Sequence, residues 1–299
     1  MNQRLTPTTA LLLTIPPLLW AGNAVVGRLL QGLVPPVTLN FLRWAIAGVL
    51  LLPLAGWVLY PRSGLWREWR RFALLGLMGV GCYNALQYMA LKTSTPLNVT
   101  LVGASIPVFM LATGALFFRH RPARRQYLGA MLSIAGVLVV LSRGDIAALL
   151  QVRLVPGDVY MLLATAAWSV YSWLLIWPGD LPHIRSDWAA FLLAQIAFGL
   201  AWSGLFAAGE WAVGAAPIRW GWPLAAGLAF VAIGPAVVAY RCWGLGVQRM
   251  GPSVAAFFSN LTPLFAAVMS AAFLGEWPHV YHAVGFVLIV AGIVVSSRH

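Results

Sequence analysis

The chain has 299 residues and a formal net charge of +12, and it is 61% hydrophobic but only 9% charged. A soluble domain carries roughly a quarter of its residues charged, so this composition excludes a water-facing globular surface and places the chain in a bilayer. The basic excess is compatible with a nucleic-acid partner in principle, but in a chain this apolar it reads as a topology signal instead.

Ten apolar stretches approach the roughly 20 residues that a helix needs to cross the hydrocarbon. They centre on about residues 20, 48, 81, 108, 133, 167, 198, 236, 264 and 288. The apolar runs are continuous, whereas membrane-barrel strands alternate and are only about ten residues long, so helices are expected throughout. The first span carries Trp20 and Asn23. Arg4 ahead of an apolar run and the small residues Ala21-Gly22-Asn23-Ala24 give it the outline of a signal peptide, but the run is long for one, so it is expected to remain as a span. The second span holds Asn40-x-x-Arg43 and Trp44. Arginines alternate with Trp66 and Trp69 between Arg62 and Phe72, a pattern that suits a short helix on the membrane surface.

The third span carries Tyr83, Asn84, Gln87 and Tyr88. Their three- and four-residue steps place them along one side of a helix, as the wall of a polar cavity requires. Asn23 or Gln87 taken singly reads as an interhelical hydrogen bond. The sixth span carries Trp168, Ser169, Tyr171 and Ser172, and the eighth Tyr240 and Arg241. Arg241 would meet a substrate carboxylate, bind a helix carbonyl end, or snorkel to the interface. Trp20, Trp44, Trp168 and Trp243 lie near span centres, where an indole N–H either finds a partner, lines a cavity or packs between helices. Pro107 and Pro263 fall near the middle of spans four and nine, where each is expected to kink its helix and serve as a hinge.

Prolines and glycines recur at a constant spacing of 156 positions: Pro96 with Pro252, Pro107 with Pro263, Pro122 with Pro278, Gly129 with Gly285 and Gly136 with Gly292. Leu19-Trp20-Ala21 answers Ala167-Trp168-Ser169 at a slightly shorter offset, so the repeat spans nearly the whole chain. Two five-helix units are therefore expected, at 1–143 and 144–299, the second inverted. Internal repeats mark carriers whose halves form a site between them. Gly129-x6-Gly136 and Gly285-x6-Gly292 put small residues two turns apart, so spans five and ten are expected to pack on each other or on a second subunit.

Twelve of the nineteen basic residues fall on the side of the amino terminus: Arg4, Arg62, Arg67, Arg70, Arg71, Arg119, Arg121, Arg124, Arg125, Arg185, Arg249 and Arg298. Five, Arg28, Lys92, Arg143, Arg153 and Arg219, fall opposite. The positive-inside rule then puts both termini in the cytoplasm. None of the seven acidic residues lies at a span centre, although Asp158 and Glu276 stand near span ends. Proton- and sodium-coupled carriers commonly place a carboxylate within the membrane, so uncoupled movement is expected. Histidines 120, 183, 279, 282 and 299 lie in loops or near span ends, which argues against an intramembrane enzyme. Cys82 and Cys242 lack metal-ligand spacing and read as buried small hydrophobes.

The Leu-Trp-Ala-Gly-Asn stretch of span one, Asn40-x-x-Arg43, the mid-span prolines and Phe273-Leu274-Gly275-Glu276 closing span nine together resemble the EamA branch of the drug/metabolite transporter superfamily. The resemblance covers essentially the full chain. It implies a basket of ten helices around a central cavity and export of amino acids and related metabolites. It further implies that Asn23, Tyr83, Trp168 and Tyr171 fall on the cavity and Pro107 and Pro263 on gating helices. The first half departs from the pattern, with Arg119-His120 where the second has Gly275-Glu276.

The sequence reading is thus an all-α integral membrane protein of ten transmembrane helices in two inverted five-helix repeats. It is expected to export neutral, above all aromatic, amino acids from a bacterial inner membrane, with drugs or nucleotide-linked metabolites as the alternative cargo. The expected substrate site is Asn23, Tyr83, Asn84, Gln87, Trp168, Tyr171, Tyr240 and Arg241, with hinges at Pro107 and Pro263. No cofactor, metal or nucleic-acid partner is expected, and the protein is expected to be a monomer or weak homodimer.

Overall fold

A computed structural model describes residues 5–94, 99, 102–142, 144, 145, 147, 155–177, 181–274 and 280–297. Arg4, Pro96, Arg143, Arg153, Asp180, 275–279, Arg298 and His299 lie outside the described residues. Regular structure among the described residues is helical throughout: α1 (Pro7–Leu29), α2 (Pro36–Ala55), α3 (Leu65–Thr93), α4 (Ile106–Phe117), α5 (Arg124–Leu141), α6 (Pro156–Leu174), a short α7 (Pro182–Ser186), α8 (Trp188–Ala212), α9 (Trp222–Met250), α10 (Pro252–Phe258), α11 (Leu261–Leu274) and α12 (Val280–Ser297). Five helices, α1, α2, α3, α8 and α9, are long and apolar enough to cross a membrane, α2 counted with its 3₁₀ continuation to Leu59, and shorter apolar helices run over Ile106–Phe117 and Ala283–Ser297. Large apolar side chains such as Leu11, Val49, Leu54, Leu116 and Val287 point outward, as a lipid-facing surface requires.

The helix starts show local reasons for their positions. Thr6 caps α1 by accepting from the Thr9 amide at 3.3 Å, with Pro7 pre-setting the first turn. Asp187 caps α8 through the Ala189 and Ala190 amides at 3.0 and 3.2 Å. Pro35 cannot cap α2, and Glu210 from the end of α8 does so instead: its carboxylate accepts from the Val37 amide at 3.0 Å and from the Thr38 amide and hydroxyl, each at 2.8 Å. Asp158 accepts from the Val155 amide at 2.9 Å and from the Ser94 hydroxyl, which pins the end of α3 to the start of α6.

The packing pairs off when the two halves of the chain are exchanged. α3 lies on α6 as α9 lies on α1, and α4 on α6 as α11 on α1, while α5 with α12 and α2 with α8 are pairs whose members swap. The glycines account for the α5–α12 contact. A Cβ at Gly129 would stand 2.7 Å from the Gly292 carbonyl, and one at Gly136 2.7 Å from the Gly285 carbonyl, so the two backbones touch where the small residues cross. Both α3 and α9 contain a π-helical segment, Gly76–Cys82 and Ala232–Val238, with starts and ends 156 positions apart.

Two expectations change in detail. Arg62–Phe72 is not one surface helix: a 3₁₀ turn at Pro61–Ser63 precedes α3, whose first turn, Leu65–Glu68, is itself 3₁₀, with Trp66 and Trp69 exposed there. Pro107 and Pro263 are not interior kinks. Each stands in the first turn of a helix that restarts after a break, at Ala104–Ser105 and at Ser259–Asn260, where the missing amide leaves no intrahelical bond unmade.

Candidate substrate cavity

A cavity of about 370 Å³ opens between α1, α3, α4, α6 and α11. Trp20, Tyr83 and Gln87 form part of its wall, with Arg28, Ser259 and Thr262 as further polar groups and Met161, Val99 and Ile106 as apolar ones. Pro263 also touches it, which sets the α10–α11 break against the cavity. Ser259 borders it too, and its buried hydroxyl has no hydrogen-bond partner among the described residues.

The predicted stripe on α3 divides in two. Tyr83 and Gln87 face the cavity, whereas Asn84 and Tyr88 turn to the neighbouring helices. Tyr88 donates to Asn23 Oδ1 at 2.7 Å, and Arg43 Nη1 donates to the same oxygen at 3.2 Å and to the Tyr88 hydroxyl at 2.9 Å. Asn23 Nδ2 reaches Gln87 Oε1 at 3.5 Å, so this buried network abuts the cavity wall. Arg43 is fully buried, and its Nε and Nη2 have no hydrogen-bond partner among the described residues. The guanidinium also stands 5.4 Å from the Trp44 ring, and a buried cation whose hydrogen bonds go only to neutral oxygens keeps positive potential beside the cavity.

Below the cavity lies an aromatic cluster. The Trp168 ring centroid is 5.0 Å from Trp20, 4.7 Å from Tyr83, 5.0 Å from Tyr171, 5.3 Å from Tyr240 and 5.4 Å from Trp243. Trp168 is fully buried, and its indole nitrogen has no partner among the described residues. The π-helical segments fix the cluster through carbonyls that they release from the helix ladder. Tyr240 donates to the Gly79 carbonyl at 2.5 Å, and Trp20 donates to the carbonyl of Pro235, 156 positions after Gly79, at 3.3 Å. Asn84 Nδ2 bonds the Tyr240 hydroxyl at 3.3 Å, so residues at matched positions of the two halves touch each other. Gly79 is required here, because a Cβ would meet the Tyr171 ring at 2.6 Å.

Of the predicted site residues, Tyr83 and Gln87 line the cavity, Asn23 supports it, and Asn84, Trp168, Tyr171 and Tyr240 build the cluster beneath. Arg241 stands elsewhere. It is exposed, with its guanidinium 4.3 Å from the Trp188 ring, and with Tyr171 and Tyr240 it borders a separate space of about 130 Å³ on the far side of the cluster. Arg28, Ser259, Thr262 and Met161 are outside the predicted set. Ser259 and Thr262 carry a usable signal, since hydroxyls flanking a proline break lie where a helix opens; Met161 carries none.

Buried polar groups, a solute-sized cavity and helices with lipid-facing exteriors define a multi-pass membrane transport protein. A family model described as the EamA-like transporter family matches residues 7–142 and again 155–298. The chain belongs to that family. It is 28% identical over 293 residues to an uncharacterized transporter of Archaeoglobus fulgidus, covering 97% of each chain. It is 26% identical over 286 residues to the aromatic amino acid exporter YddG of Ancylobacter novellus, covering 94% of this chain and 93% of that one. A solved crystal structure superimposes with a TM-score of 0.70 at 24% identity, covering 96% of both chains, which shows the fold.

Proposed function

We propose that the protein exports amino acids, aromatic ones among them, and related metabolites across a bacterial inner membrane by alternating access. The chain forms ten spans as two inverted five-helix repeats, 1–143 and 144–299, with both termini in the cytoplasm. The observation that carries this reading is the 370 Å³ cavity walled by Trp20 and Tyr83 and closed beneath by Trp168. Its volume is within the range of small-ligand sites, and aromatic walls suit an apolar or aromatic side chain. The double match of one family model, the exchange-symmetric packing and the helix breaks at corresponding positions support two halves that rock about the site. The exporter relative at 26% identity supports amino acids as the cargo.

Movement is uncoupled from protons and sodium. No carboxylate lines the cavity among the described residues, and both oxygens of Asp158 are engaged in holding α3 to α6. Purified protein in liposomes should show saturable flux of labelled L-phenylalanine that an imposed proton or sodium gradient does not drive uphill. Flux of nucleotide-linked metabolites or drugs in place of amino acids would redirect the cargo assignment, and gradient-driven accumulation would refute the absence of coupling.

A further inference from the structure

A second, more voluminous hollow lies at the opposite end from the cavity mouth. It measures about 850 Å³ and is bounded by the end of α4, the start of α5, α7, and the junction of α9 with α10. Its wall carries Arg121, Arg125, Arg185, Arg249 and His120, and no acidic side chain among the described residues. Basic residues at this end satisfy topology by themselves; what topology does not explain is their convergence on one concave space. Arg125, Arg185 and Arg249 are half-buried rather than extended into solvent, and Arg185 is steadied by donating to the Leu175 carbonyl at 3.2 Å. Two polar atoms on residues that line this hollow lack hydrogen-bond partners among the described residues: His120 Nε2 and the hydroxyl of Ser253, a residue only 4% exposed. Low-dielectric walls lined by one sign of charge focus the field and raise the local concentration of the opposite ion.

The hollow leads toward the aromatic cluster. Arg185 and Gln248 border both it and the smaller 130 Å³ space, which Tyr171, Tyr240 and Arg241 also border. Tyr171 and Tyr240 in turn touch Trp168, whose other neighbours Trp20 and Tyr83 wall the main cavity. Cations therefore stand along the whole line, from Arg125 and Arg249 through Arg185 and Arg241, past Arg43, to Arg28 at the far cavity.

We infer that the basic hollow is an oxyanion-binding vestibule that receives solutes bearing a free carboxylate or phosphate and turns away cations. This deepens the carrier reading and rests on it for the identity of the hollow as the inner mouth of the route. Guanidinium groups bind both oxyanions in a bidentate fork, and the Ser253 hydroxyl and His120 ring nitrogen add hydrogen-bonding contacts. The oxyanion comes either from a dissolved solute or from an anionic lipid headgroup, since basic pockets between membrane helices take such headgroups.

The test is equilibrium binding, read from tryptophan fluorescence, because Trp173 lines the hollow with its ring 5.0 Å from His120. The protein is placed in phosphatidylcholine nanodiscs and titrated with inorganic phosphate, N-acetyl-L-phenylalanine and L-phenylalaninamide. Phosphate and the N-acetyl anion should saturate, the cationic amide should not, and rising chloride should weaken binding. R125Q/R249Q should weaken anion binding by roughly tenfold or more, whereas R62Q/R67Q, with the same loss of charge on exposed arginines, should leave it unchanged. If phosphatidylglycerol in the nanodisc removes phosphate binding from the wild type, the headgroup is the resident oxyanion and the site stands. Equal affinity for the anion and the cationic amide, or no anion binding at all, overturns the inference in wild-type protein alone, whatever becomes of the variant. Phosphate binding without L-phenylalanine flux would sink the amino-acid carrier and leave the vestibule; flux without anion binding would do the reverse.

Discussion

Arg43 concentrates the physical tension of the site in one side chain. It is fully buried, bonded only to Asn23 and Tyr88 among the described residues, and two of its nitrogens are unpartnered there. A buried charge without a counter-ion destabilises its surroundings, and an apolar residue of similar volume in such a place is often neutral or stabilising. Arg43→Met should therefore keep or raise the thermal midpoint in detergent, because Tyr88 still donates to Asn23, while saturable flux falls by an order of magnitude or more. A drop in both together would assign Arg43 a purely structural part. Trp168 behaves differently, since its five ring neighbours depend on its volume. Trp168→Ala should cost about 3–5 kcal/mol of stability and abolish flux, and Trp168→Phe should recover most of the stability. The sequence singles out these residues because polar and aromatic residues at bilayer depth are rare. It does not place Arg241, which stands on the other side of the aromatic cluster, because spacing along α9 does not tell which side of the cluster a side chain reaches.

At the scale of elements, close backbone approach and borrowed caps do what apolar burial does in soluble proteins. α5 and α12 touch through Gly129, Gly136, Gly285 and Gly292. Gly136→Leu should lower stability by about 1–3 kcal/mol through overpacking, measured as a fall in the thermal midpoint. α2 has no cap of its own and relies on Glu210, whose carboxylate takes three hydrogen bonds at its start. Glu210→Ala should destabilise the α2–α8 pair by about 1–3 kcal/mol, and Glu210→Gln by less, since the amide oxygen still accepts. The glycine pairing is legible in the sequence, because small residues at fixed spacing have few other uses in membrane helices. The Glu210 cap is not: its donors, Val37 and Thr38, are 173 and 172 positions away, and nothing local to Glu210 marks them. The π-helical segments are equally hidden, although the 156-residue repeat does place one directly over the other. The helix breaks before Pro107 and Pro263 move the expected flexibility from within the helices to their first turns.

For the molecule as a whole, the correspondence of the two halves is what the proposed transport mechanism rests on. The family model matches each half, contacts such as α3 on α6 have counterparts in α9 on α1, and Asn84 meets its own counterpart Tyr240 at the centre. In the reading proposed above, the cavity on one side of the aromatic cluster and the basic hollow on the other are the two ends of one route that opens alternately as the halves rock. The most direct measurement is counterflow in proteoliposomes, with labelled L-phenylalanine outside and excess unlabelled L-phenylalanine inside. A carrier that exposes one site to each side in turn takes up the label several-fold faster, and transiently above equilibrium, when it is preloaded. Uptake indifferent to preloading and linear in concentration would contradict alternating access and make the aromatic cluster a fixed constriction in a channel.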